Sequence, residues 1–160
     1  MADSTLEKGL ILFFRLAMGW TFLYAASWQL LEHFSAVGFL GDTKTFHVIF
    51  AWFAAPGMVP YVDVMVKWGH LLIGLSLVSG LLVRVSALFG ILLLGIYYFA
   101  YMDFPFIDGH TNMIIDYHLV YIAVLVYLIA KRAGQVWGLD GWLDRLPIVA
   151  NHPALKPLVS

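Results

Sequence analysis

Four apolar runs divide the chain, and each is long enough to cross a hydrocarbon layer as a helix, for which about 20 residues suffice. They predict spans over residues 9–31, 64–83, 85–101 and 112–130. Span one is apolar except for Arg15 and a polar far end at Ser27, Gln29, Glu32 and His33. Only Arg84 and its neighbours separate spans two and three, so these two pair as an antiparallel hairpin. Between spans one and two, Phe34 to Asp63 is broken by Gly38, Gly41, Pro56, Gly57 and Pro60 and cannot run as one helix. Within it, Thr45 to Ala55 reads as a short interfacial helix or lid. A polar loop, Asp103 to Thr111, leads into span four, which stops at Lys131 and Arg132. The tail from Ala133 to Ser160 carries Trp137, Trp142 and three prolines and is expected to lie along the membrane surface. The pattern therefore predicts an all-α integral membrane four-helix bundle, with residues 1–160 as a single membrane domain.

Composition agrees: 62% of residues are hydrophobic and 12% charged, and the mean hydropathy is +0.86, far from a water-soluble balance. The net charge of -1 gives no nucleic-acid surface, and the lipid bilayer is the expected partner. Without cysteine, thiolate nucleophiles, disulfide relays and cysteine-held clusters are excluded. Met1 to Lys8 is polar and acidic, with no small-residue cleavage site after it, so span one is expected to be retained. With four spans, Lys8, Arg84, Lys131, Arg132, Arg145 and Lys156 share one side, and Lys44 and Lys67 the other. Basic residues are retained inside, which puts both termini in the cytoplasm of a multi-pass cell-membrane protein.

An ionisable group within hydrocarbon costs about 2.5–3.5 kcal/mol, so each one needs a partner or a purpose. Arg15, about 9 Å into span one at the helical rise, can snorkel back to the headgroups. At 100° per residue Arg15, Gly19, Phe22, Ala26, Gln29 and His33 form one stripe, which should face the interior. Asn112 and Asp116 share one face of span four, and His118 and Tyr121 another. Gly69, Gly74, Gly80, Gly90 and Gly95 suggest close helix contacts.

Gln29, Glu32, His33, His70, Asp116, His118 and Tyr121 all fall in the outer half of the layer. A carboxylate and imidazoles there can exchange protons with a quinone head group, with Trp68, Tyr97, Tyr98 and Tyr101 packing on its ring. Asp116, His118 and His70 are the expected catalytic residues, and Arg15, Gln29, Trp68 and Tyr121 the expected quinone-binding ones. The bland alternative is that these groups satisfy one another at a headgroup boundary, with an ordinary aromatic belt around them. A haem clamped by His70 and His118 needs facing ligands at matched depth, and a metal site of His70, His110 and His118 needs more still; neither is expected.

The segments RLAMGWTFLYAASWQLLE, WGHLLIGLSLVSGLLVRVSALFG and DYHLVYIAVLVYLIAKRAGQVWGLD, in this order over residues 10–145, resemble the DoxX/DoxD family. Arg15 and Gly19, then Trp68, Gly69 and His70, then Gly80 and Arg84 match its pattern, as do Asp116, His118, Tyr121, Gly138, Leu139 and Asp140. The resemblance implies a four-helix membrane protein. In the DoxD branch it implies the membrane subunit of thiosulfate:quinone oxidoreductase, passing electrons from a sulfur compound to quinone. The chain departs from the pattern at Ala26 and Gln29, where the family has a small residue followed by lysine. A quinone-reactive subunit acting with a partner redox subunit or as a homo-oligomer is thus expected, with a noncatalytic membrane anchor or assembly subunit as the alternative. Small-solute transport is disfavoured, because the inner halves of spans two to four offer no polar path.

Overall fold

A computed structural model describes residues 4–107, 112–150 and 152–159. The chain is mostly helical. Helix α1 spans Thr5–Leu31, followed by the short α2 (Val37–Gly41) and α3 (His47–Phe53), then α4 (Val59–Ser79) and α5 (Val83–Ala100). Three two-residue strands follow, β1 (Met102–Asp103), β2 (Phe106–Ile107) and β3 (Asn112–Met113), and then α6 (Tyr117–Ala130). The tail folds into a 3-10 turn at Ala133–Gln135, α7 (Leu139–Leu143), α8 (Pro147–Ala150) and a second 3-10 turn at Pro153–Leu158.

Helices α1, α4 and α5 are long and apolar enough to cross a membrane. Their outward faces carry Phe13, Trp20, Leu72, Phe89 and Leu92, each more than 60% exposed, a belt that suits lipid contact rather than water. Inward, α1 packs on α4, α4 on α5, α5 on α6 and α6 on α1, around Ile11, Met18, Phe22, Ile73, Leu77, Ala87, Leu125 and Leu128. Arg15, Gly19, Phe22 and Ala26 of the predicted stripe are buried; His33, beyond the end of α1, is exposed. Gly19 and Gly74 make the closest crossing: a Cβ on Gly19 would sit 2.7 Å from Val78, and one on Gly74 2.7 Å from Leu23. Gly69 and Gly95 have nothing within 4 Å of a Cβ and serve no such contact.

Three expectations are corrected. Span two starts at Val59, not residue 64, because Pro60 occupies the first helical turn, where a missing N–H costs nothing. The fourth apolar run is helical only from Tyr117, because Asp116 stands outside it as N-cap, accepting from the N–H groups of His118 and Leu119. Asn112 lies in β3, so it shares no helix face with Asp116. At 14 residues α6 is about 21 Å long, short of the ~30 Å hydrocarbon core. The missing length is taken by an antiparallel sheet of order β1-β2-β3, with Met102 opposite Ile107 and Phe106 opposite Met113.

The third correction concerns Arg15, which is held by the first turns of the tail instead of reaching the headgroups. Arg15 is 2% exposed and does not snorkel. Its Nη1 donates to the carbonyls of Ala133 (2.8 Å) and Val136 (2.9 Å), and its Nη2 to that of Trp137 (3.1 Å). Asp140, equally buried, accepts from the N–H groups of Leu82 (2.6 Å) and Val83 (3.1 Å), capping α5 from 58 residues away in sequence. Burial pushes the Asp140 carboxyl above the ordinary carboxylate range, against these two bonds and the Arg15 charge, which favour ionisation. Gly80 ends α4 at φ +71, and its carbonyl accepts from the Asp140 N–H at 2.9 Å. A Cβ there would lie 2.6 Å from Gly138 Cα and 2.7 Å from Arg15 Nη1, so position 80 needs glycine for both conformation and space.

Arg15→Met should therefore leave three inward carbonyls and Asp140 without their cation. We expect a loss of about 3–5 kcal/mol, read as a lowered unfolding temperature in detergent. Arg15→Lys, whose ammonium lacks the planar fork, should recover only part of it.

Candidate functional site

At the end of the molecule opposite Arg15, a cavity of about 300 Å³ opens between α1, α4, α5 and α6. Four of the sequence-predicted residues line it together: Gln29 from the last turn of α1, His70 from the middle of α4, and His118 and Tyr121 from the start of α6. Helix α5 contributes Leu94 and Tyr97, and Tyr101 follows from just past its end. Phe34 and Phe39, from the segment after α1, and Tyr117 also line it.

That segment is held over the opening by several independent ties. Asp63 Oδ1 accepts from the Ala36 N–H at 2.7 Å, and Thr45 Oγ1 donates to the Met102 carbonyl at 2.7 Å. Ala36, Leu40, Phe50 and Ala100 form a second small core beneath it. Phe39 thus meets Tyr97 edge-on at 5.4 Å and Tyr101 at 5.0 Å. Lys67 stands 5.9 Å from the Phe34 ring centroid, within cation–π reach.

The polar atoms are oriented by their outer partners. Asp116, 4% exposed, and His118, 3% exposed, meet at 2.5 Å between Oδ2 and Nδ1. Because Oδ1 of the same carboxylate accepts the His118 N–H at 3.1 Å, the dyad is fixed to the helix start and not to a mobile loop. His70 Nδ1 donates to the Val66 carbonyl at 2.8 Å. A carbonyl accepts only, so neutral His70 carries its proton on Nδ1, leaving Nε2 as an acceptor. In the neutral His118 the same logic puts the proton on Nδ1, facing Asp116, and leaves Nε2 as the acceptor. Gln29 Oε1 is buried and accepts no hydrogen bond among the described residues. Rings confine this set: Tyr97 stacks on His70 at 5.7 Å, Tyr101 and Tyr117 on His118 at 5.6 and 4.1 Å.

Three predicted residues stand apart. Tyr98 is absent from the lining and donates its hydroxyl to the Ile114 carbonyl at 2.6 Å. Arg15 lies 14 positions before Gln29 on α1, about 21 Å along the axis, and its guanidinium is engaged by the tail. Trp68 is 52% exposed and, two positions from His70, points about 200° away from it around α4. Asp116 reaches the cavity only through His118. His110 lies outside the described residues. Phe34 and Phe39 carried no sequence signal, since they sit in the irregular segment, where neither helical nor strand periodicity marks a facing side.

Compared with known proteins, the chain matches no family model, no curated protein and no solved structure.

An unpaired buried acceptor is worth less than an apolar group of the same shape. Gln29→Leu removes that acceptor but also the amide's hydrogen bond to Tyr97, so the unfolding temperature should stay close to the parent's. His118→Leu, by stripping the buried Asp116 of its ring partner, should lower stability by about 3 kcal/mol; thermal unfolding in one detergent checks both.

Proposed function

We propose that the protein is a multi-pass membrane protein, a bundle of α1, α4, α5 and α6 whose aromatic cavity takes the head group of a quinone. The observation that carries this reading is the meeting of Gln29, His70 and His118 in one aromatic-lined cavity, with the Gln29 Oε1 acceptor unfilled among the described residues. Aromatic walls favour a flat ring, and about 300 Å³ sits at the lower end of ligand pockets, enough for a ring system without its tail.

A quinone supplies a two-electron, two-proton couple. The hydroxyls of Tyr97 and Tyr121 can donate to the carbonyls of the oxidised ring. His70, His118 and Gln29 can accept from the hydroxyls of the reduced one. Asp116 holds the His118 ring by Nδ1, so Nε2 is the nitrogen that faces a ligand and can exchange a proton with it. The Phe34–Phe39 segment keeps bulk water off these groups.

The likeness of three ordered segments to the DoxX/DoxD family supports the same class and suggests a sulfur compound as electron source, brought by a partner subunit. The bias of basic residues toward the Arg84 and Lys131 end supports cytoplasmic termini and an outer-leaflet cavity. Asp116, His118 and His70 would then handle protons, with Gln29 and Tyr121 positioning the ring. Arg15 and Trp68 fall outside that set.

Calorimetric titration of the detergent-solubilised protein with a short-chain benzoquinone or naphthoquinone should give one saturable site. His118→Ala and Gln29→Leu should each weaken it by about five- to tenfold, with Trp68→Phe unchanged. Non-saturable uptake, equal in all four proteins, would leave only the membrane-anchor role.

A further inference from the structure

The end of the molecule that carries the chain termini holds a second, larger concavity of about 650 Å³, lined by charge rather than by rings. Arg84 from the first turn of α5, Lys131 and Arg132 from the end of α6, and Lys156 from the last 3-10 turn converge on it, against the carboxylate of Asp144. Lys131 is offset by Glu7, 2.5 Å from its Nζ. Arg84, Arg132 and Lys156 then outnumber Asp144 and leave the cleft positive.

The fold assembles this cleft from Arg84 at the start of α5 and from three stretches between residues 131 and 157. Gln135, on its wall, donates from Nε2 to the Val159 carbonyl and so fastens the segment bearing Lys156 across it. Arg132 is held at φ 48, a left-handed conformation that a residue with a β-carbon adopts only where its surroundings impose it. Trp137 and Trp142, 61% and 60% exposed, flank the same region, and exposed tryptophans beyond the ends of apolar helices mark the level of the lipid headgroups. A cleft with excess arginine at that level meets phosphate esters before any other anion, and the guanidinium fork matches phosphate oxygens two at a time.

We propose that this cleft binds a phosphate-bearing anion, supplied either by the headgroup of an acidic phospholipid or as free phosphate. Arg84 and Arg132 grip the phosphate oxygens, and Lys156 adds charge from the tail. Occupancy ties the tail to the ends of α5 and α6. The site is separate from the aromatic cavity, at the other end of both helices, and stands whether or not that cavity takes a quinone.

The full-length chain in detergent micelles, titrated with short-chain phosphatidylglycerol or phosphatidylcholine and followed by native mass spectrometry, tests this. A calorimetric titration with inorganic phosphate forms the third arm. Phosphatidylglycerol should be retained at least about tenfold over phosphatidylcholine. Arg84→Gln with Arg132→Gln should reduce its retention by about thirtyfold, and Arg84→Lys with Arg132→Lys, which keeps the charge but loses the fork, should recover only part of it. Both arginines are exposed, so the variants should keep the parent's unfolding temperature; Lys156→Gln offers a milder third test in the same direction. Saturable phosphate binding lost in the glutamine variant, without lipid preference, assigns the source to free phosphate and also supports the site. Equal retention of both lipids with no phosphate binding overturns the proposal, as does phosphatidylglycerol binding that the glutamine variant leaves unchanged.

Discussion

A guanidinium buried among apolar helices must find acceptors, and Arg15 finds them in the carbonyls of Ala133, Val136 and Trp137. Those carbonyls are available because α6 stops at Ala130 and the chain turns through left-handed residues at Arg132 and Trp137 instead of continuing as helix. The same turn delivers Asp140 to the bare N–H groups at the start of α5. One cation and one carboxylate thus join α1, the α4–α5 hairpin and the tail. Buried among apolar side chains such polar groups have few alternatives, so the closure also fixes how the helices are placed relative to one another.

With that end sealed, the shortness of α6 is expressed at the other. Asp116 caps the helix too late for it to match its neighbours in length, and β1 to β3 together with the α2–α3 segment fill the difference. The filling is incomplete: it covers the helix ends with phenylalanine and tyrosine rings and leaves the cavity between them. Asp116 therefore has two consequences from one position, ending the helix and orienting His118. A carboxylate serving both needs burial and a short contact to the imidazole, and it has both.

Much of this was legible in the sequence because apolar length and helical spacing are local signals. Three spans follow from them, and so does the interior stripe from Arg15 to Ala26. The gathering of Gln29, His70, His118 and Tyr121 followed from placing each at one end of its own span. What stayed hidden depended on partners distant in the chain. The carbonyls that hold Arg15 have no side-chain signature, so the arginine read as a snorkelling or ligand-binding cation. Two-residue strands are too short to show alternation, and their residues read as loop and helix. Trp68 was grouped with His70 by depth, although two residues on a helix face opposite ways. Phe34 and Phe39 come from a segment whose glycines and prolines mask any facing pattern.

The central claim is that the aromatic cavity at the His118 end is where a flat redox-active ring binds. Photoaffinity labelling with an azido-quinone in liposomes, followed by peptide mapping, tests it most directly. The account predicts that label concentrates on residues 94–101 and 117–121 and is displaced by excess unmodified quinone. Label spread over the lipid-facing residues Phe13, Phe89 and Leu92, and not displaced, would contradict it.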